Sequence, residues 1–125
     1  MNFEFDNNSP SYLQICEQLR LQIISGTLAS GERLPSVRDL ALTLKVNPNT
    51  LQKALAELES IGLIFTERTN GKFVTVYKSL IESQRMQYAD NITKNYLQNM
   101  ACVGFSFDEA LEHLKSKKGE QNGND

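Results

Sequence analysis

Apolar residues in the first half of the chain recur at helical spacing. Tyr12, Ile15, Leu19 and Ile23 stand three or four positions apart, as on one face of a helix. Ser9 and Pro10 precede them. Serine caps helices well, and proline suits the first helical position, where its missing N–H is not needed. The pattern predicts a helix from Pro10 to about Ser25-Gly26. Residues 26–35 contain Gly26, Gly31 and Pro35 and read as a loop, with Leu28 and Leu34 available to pin it to a core. Val37, Leu40, Ala41 and Leu44 make a second stripe. Ser36 opens it, and Asp39 stands where the reciprocal acid of a capping box belongs. Lys45-Val46 leaves room for only a very short turn. Asn47 and Pro48 then start a third helix, with Leu51, Ala54, Leu55 and Leu58 on its apolar face and Gly62 at its end.

Beyond Gly62 the period changes. Leu63–Glu67 and Lys72–Val76 are rich in β-branched and aromatic residues, and Arg68-Thr69-Asn70-Gly71 joins them. Asn-Gly supplies the two positive φ angles of a tight hairpin turn, so a hairpin follows the third helix. From Ser79 the spacing is helical again: Leu80, Ile81, Tyr88, Ile92, Tyr96, Leu97 and Met100 mark one stripe, which Gly104 interrupts. Ser106 and Glu109 have capping-box spacing, with Phe105 placed to staple against Ala110; a last helix carries Phe107, Ala110, Leu111 and Leu114. Residues 116–125 are polar and predict a disordered tail. Phe3 and Phe5 alternate as in a strand, in a segment too short to assign one.

Composition narrows the classes. The chain has 125 residues, 13 Lys+Arg against 15 Asp+Glu, and 40% hydrophobic residues. That is too short for a closed α/β barrel or a dinucleotide-binding fold, and too apolar for wholesale disorder. No apolar run approaches the ~20 residues that span a bilayer, so no membrane partner is expected. The acidic start carries no secretory signal, and Cys16 and Cys102 make no disulfide scaffold; a cytoplasmic location is the expectation. His113 is the single histidine, without a second ligand at metal spacing, so neither a metal nor another cofactor is called for, and no nucleophile–base set can be assembled. Residues 9–78 hold eight bases and six acids, between acidic flanks. A mildly basic block of this kind is compatible with a polyanion.

Two short helices joined by a tight turn, with a hairpin directly behind, have the form of a winged helix-turn-helix. A helix fits the major groove of B-DNA and its N-terminal residues reach base edges. Those residues here are Asn47, Asn49 and Thr50, with Gln52 and Lys53 a turn later. Asn and Gln can pair donor and acceptor with adenine, and Lys53 can meet a phosphate or guanine. The helix starts at Ser36 and Asn47 offer amides to phosphates, and Arg38 can reach the backbone. The hairpin presents Arg68, Asn70, Gly71 and Lys72 to a minor groove or flanking phosphates.

The blocks Pro10-Ser11-Tyr12-Leu13-Gln14-Ile15, Ile24-Ser25-Gly26, Gly31-Glu32-Arg33-Leu34-Pro35-Ser36-Val37-Arg38-Asp39-Leu40-Ala41, Asn47-Pro48-Asn49-Thr50-Leu51, Leu55-Ala56-Glu57-Leu58-Glu59, Gly62-Leu63-Ile64 and Gly71-Lys72-Phe73-Val74 fall in order. Over residues 9–76 the chain resembles the GntR family of bacterial transcription regulators. Its Asn-Pro-Asn-Thr start and short C-terminal segment resemble the YtrA-type subfamily. The resemblance implies a homodimeric repressor of double-stranded operator DNA, commonly for operons of ABC-type transporters. It places the family's DNA contacts on Arg38, Asn47, Asn49, Thr50, Gln52 and Gly71. Pro48 stands where many relatives have arginine, Thr69 replaces a wing glycine and Lys72 a threonine.

The expected fold is therefore mainly α with a small β-hairpin: a winged helix-turn-helix domain over 9–76, then a two-helix dimerisation segment over 79–115. Its stripe would be covered by a second copy, giving a twofold dimer on a pseudo-palindromic operator. The candidate interface is Leu80, Ile81, Tyr88, Ile92, Tyr96, Leu97 and Met100, with Phe105 and Leu111; the alternative is that the helix folds back on its own domain. A protein-binding winged helix is the rival to a DNA-binding one. About 45 residues after the wing leave little room for a ligand pocket of about 300 Å³. A small-molecule effector near Tyr88, Tyr96 or Phe105 stays open, and the sequence identifies none.

Overall fold

The computed structural model describes residues 10–121. Phe3 and Phe5, whose alternation is too short to assign, Ser9, expected as a cap, and residues 122–125, expected as the end of a tail, lie outside them. The order is α1 (Tyr12–Ile24), α2 (Val37–Leu44), α3 (Pro48–Ser60), β1 (Ile64–Glu67), β2 (Gly71–Val74), α4 (Lys78–Cys102), α5 (Phe107–Ser116) and α6 (Lys118–Gln121). The chain divides into two compact units, the first ending at Arg85 and the second beginning at Met86. No helix among the described residues is long and apolar enough to cross a membrane.

In the first unit α3 is central, packing against α1, α2 and β1. Each stripe read from the sequence is buried: Ile15, Leu19 and Ile23 of α1, Leu40, Ala41 and Leu44 of α2, Leu51, Ala54, Leu55 and Leu58 of α3. Leu28 and Leu34 pin the loop as expected, and Tyr12 and Val37 pack at the edge of the same core. Leu51 and Leu58 are fully enclosed, so truncating either to alanine would cost about 2–5 kcal/mol.

Four local expectations are corrected. The first helix is capped by Ser11 rather than started by Pro10: Ser11 Oγ accepts the Gln14 amide and Gln14 Oε1 accepts the Ser11 amide, a complete capping box. The hairpin turn uses one positive φ, not two. Asn70 N–H donates to the Glu67 carbonyl at 3.3 Å, closing a turn over Glu67–Asn70, and Gly71 alone is left-handed, at φ 96°. Residues 31–34 are more than a loop. Gly31 N–H donates to the Val74 carbonyl, Val74 N–H to Glu32 and Leu34 N–H to Lys72, so Arg33 stands opposite Phe73 on the free edge of β2. Leu80 and Ile81, expected at a dimer interface, are half-buried and pack against the core of their own unit. Arg20 reinforces that attachment, donating from Nε and Nη2 to Gln84 Oε1. Finally, the expected tail begins with a helical turn, α6.

In the second unit, α5 is capped by Ser106 with Glu109 completing the box. Ala110 is buried, whereas Phe107, Leu111 and Leu114 are exposed.

Candidate nucleic-acid interface

The turn between α2 and α3 is set by Lys45, whose backbone is left-handed at φ 58° and ψ 48°. A non-glycine residue adopts this at a cost of about 1–2 kcal/mol. The chain gains the ending of α2 two residues before the next cap, with Lys45 N–H directed to the carbonyls of Ala41 and Leu42. Asn47 then caps α3, its Oδ1 accepting the Asn49 amide at 2.8 Å, and Pro48 occupies the first turn.

This arrangement leaves the front of α3 open. Asn47, Pro48 and Asn49 are exposed and Thr50 is half-buried; Gln52 and Lys53 are exposed on the side away from Leu51, Ala54 and Leu55. The cap bond holds the Asn47 side chain against its own helix start and occupies one lone pair of Oδ1, so it is less free than Asn49 or Gln52 to turn both amide atoms to a base. Bidentate pairing with adenine is open to Asn49 and Gln52 instead. The Lys53 ammonium lies 4.1 Å from the centroid of the Tyr12 ring, a cation–π contact joining α3 to α1.

On α2, Ser36 is an exposed cap whose Oγ accepts the Asp39 amide at 3.1 Å. Asp39 supplies acid to the first turn without the reciprocal bond of a box. Arg38 is exposed one residue into the helix.

The two faces of the hairpin differ. Ile64 pairs with Val74 and Thr66 with Lys72 in register, so these four share a face by the two-residue period of a strand. Ile64 and Val74 are buried in the core, which turns Lys72 the same way. Its ammonium lies 3.1 Å from Glu59 Oε1 of α3 and 2.9 Å from Thr66 Oγ1, and Thr66 donates to the same carboxylate at 3.0 Å. Lys72 thus differs from the exposed Arg68 and Asn70 at the tip. Phe65 and Phe73 stack on the opposite face with centroids 5.5 Å apart. Arg33, not singled out by sequence, lies on that face beside Gly71. A β-carbon there would come within 3.6 Å of Arg33 Nε and 3.7 Å of Nη2. The alternation that buries Val74 was the available signal for Lys72; the bridging of Arg33 had none, because residues 31–34 are too short and too punctuated to read as a strand.

The expected interface residues in the second unit are unevenly covered. Tyr88, Tyr96, Leu97, Met100 and Phe105 are half-buried, whereas Ile92 is 64% and Leu111 40% exposed. His113 makes an edge contact with Phe105. Among the described residues no group of three or more His, Cys, Asp and Glu side chains is placed to hold a metal.

The family profile described as "Bacterial regulatory proteins, gntR family" matches residues 11–74. The chain is 31% identical over 116 residues to an HTH-type transcriptional regulator YhcF of Bacillus subtilis, covering 93% of this chain and 96% of that protein. It is 29% identical to the HTH-type transcriptional repressor YtrA of the same organism, over 94% of this chain and 91% of that one. Its structure is similar to that of a GntR family transcriptional regulator from Listeria monocytogenes. There the TM-score is 0.81 at 38% identity, over 90% of this chain and 98% of the other.

Proposed function

This chain belongs to the GntR family of bacterial regulatory proteins, and from that premise we propose a homodimeric repressor that places the front of α3 from each copy in the major groove of a pseudo-palindromic operator. The observation carrying this reading is the exposed start of α3, where polar side chains with base-reading chemistry stand on a helix whose opposite face is locked in the core. Asn49, Thr50 and Gln52 choose sequence, with Asn47 held mainly as the cap. Arg38, Lys53 and Arg68, with the amides at Ser36 and Asn47, hold phosphates, so affinity falls with salt. Resemblance to YtrA-type regulators points to transporter genes as the regulated set.

The dimer is supported by the second unit taken alone. Ile92 of α4 and Phe107, Leu111 and Leu114 of α5 are exposed apolar residues on a small helical body, and a second copy is the natural cover for them. The family is one of bacterial regulatory proteins, in keeping with this reading.

The test is fluorescence anisotropy with the DNA flanking the protein's own gene against an unrelated duplex. Tighter binding to the first, weakened by about 1–3 kcal/mol in Arg38→Ala, is expected. Equal weak binding to both duplexes would overturn the reading.

A further inference from the structure

We propose that Arg33 is the cation with which the wing meets DNA, and that Lys72 is a strut fixing the wing to α3. The proposal deepens the DNA-binding reading and rests on it. By sequence, Lys72 is the obvious wing cation, since it follows Gly71 at the hairpin turn. The strand period turns it inward, because it shares a face with the buried Val74. There its ammonium is held between Glu59 of α3 and Thr66 of β1, at 3.1 and 2.9 Å. Leaving that site for a phosphate would take from the half-buried Glu59 carboxylate its one cationic partner among the described residues and break two charge-assisted hydrogen bonds, leaving it the Thr66 hydroxyl.

Arg33 has the complementary position. It pairs with Phe73, so its side chain rises on the outer face and runs over the diagonal neighbour, Gly71. Glycine at 71 keeps that path clear. The acid on the same face, Glu67, accepts from Asn70 Nδ2 at 2.9 Å, and among the described residues no ion pair involves Arg33. An exposed guanidinium therefore stands along the wing beside Gly71, with the planar fork that suits phosphate oxygens. Arg33, Phe73 and Gly71 form the outer surface offered to the duplex; Lys72, Thr66 and Glu59 form the bracket behind it.

The test measures binding against salt for wild type, Arg33→Ala and Lys72→Met, on the gene-flanking duplex and an unrelated one, with amide exchange over residues 71–74. Arg33→Ala is expected to lower the slope of log affinity against log salt by about one on both duplexes and to leave wing exchange unchanged. Lys72→Met is expected to speed exchange across the wing and to change the slope less than Arg33→Ala does; Glu59→Gln should speed exchange in the same way. An Arg33→Ala protein with the wild-type slope overturns the proposal alone. So does a Lys72→Met protein that loses a full unit of slope with wing exchange unchanged. Wild type that binds neither duplex overturns the DNA-binding reading and this proposal with it.

Discussion

The side-chain oxygen of Asn47 accepts the backbone amide of Asn49 at 2.8 Å, so the residue that caps α3 is bonded to the residue proposed to read a base. The two asparagines therefore separate stability from recognition. Asn47→Ala should cost about 1 kcal/mol of folding stability by loss of the cap. Asn49→Ala keeps the cap and should change stability by less than about 0.5 kcal/mol, while weakening binding to the preferred duplex by about 1–3 kcal/mol. Urea melts and anisotropy titrations on both variants check this; an Asn49→Ala protein with unaltered discrimination between duplexes would remove Asn49 from the base-reading set.

Gly62 joins the hairpin to α3 at φ 85°, and a β-carbon there would lie 3.3 Å from Leu80 Cδ2. Gly62→Ala meets two penalties: a left-handed backbone and a crowded neighbour. It should destabilise by more than about 1 kcal/mol. Adding Leu80→Ala removes the crowding and leaves the backbone penalty, so the double variant should lose less than the sum of the single effects. Strict additivity in a double-mutant cycle would place Leu80 away from Gly62.

Where the chain repeats a periodic pattern, its structure was legible. The faces of α1, α2 and α3 follow from apolar residues three and four apart, and the caps at Ser36 and Asn47 follow from side-chain chemistry. Where two readings shared one pattern, only packing could choose. Ser9 and Ser11 both flank Pro10, and Gln14 three residues beyond Ser11 selects the second. The α4 stripe required a cover but could not say which, and the cover divides: Leu80 and Ile81 lie on the domain's own core, while Ile92 stays exposed. Arg33 was missed because its position is fixed by pairing with Phe73, forty residues later, and not by its neighbours.

The two cysteines differ in environment. Cys16 lies within the core, and burial pushes its thiol above the ordinary value, an effect that outweighs the opposing pull of Arg20. Cys102 is exposed at the end of α4. One thiol should therefore react rapidly with a disulfide reagent in the folded protein, and the second only on unfolding. Cys102→Ser should abolish the fast phase; rapid labelling of two thiols in the native protein would contradict the packing of Cys16.

The capping box of α5 carries a pH signature. The Ser106 backbone N–H donates to Glu109 Oε1 at 2.9 Å, and this bond, with that of the Ser106 side chain, holds the Glu109 carboxyl below its ordinary value of 4.5. A carboxyl lowered on folding contributes stability that is present above the unfolded value and is lost as pH falls through the folded one. Acidification below pH 4.5 should therefore fray the first turn of α5, seen as loss of amide protection at residues 109 and 110. Glu109→Gln can accept the same bond without titrating, so its protection should hold over that range. Identical pH profiles for the two proteins would show that the carboxylate is not what secures the cap.

The central claim is that two copies present the front of α3 to successive major grooves on one face of a duplex. Methylation protection of guanine N7 on the gene-flanking DNA reads that groove directly. The account predicts two protected patches whose centres lie one helical turn, about 10–10.5 base pairs, or a whole multiple of it apart, and both lost in Asn49→Ala with Gln52→Ala. Bound DNA with every N7 reactive, or a lone patch without a symmetry mate, would contradict it.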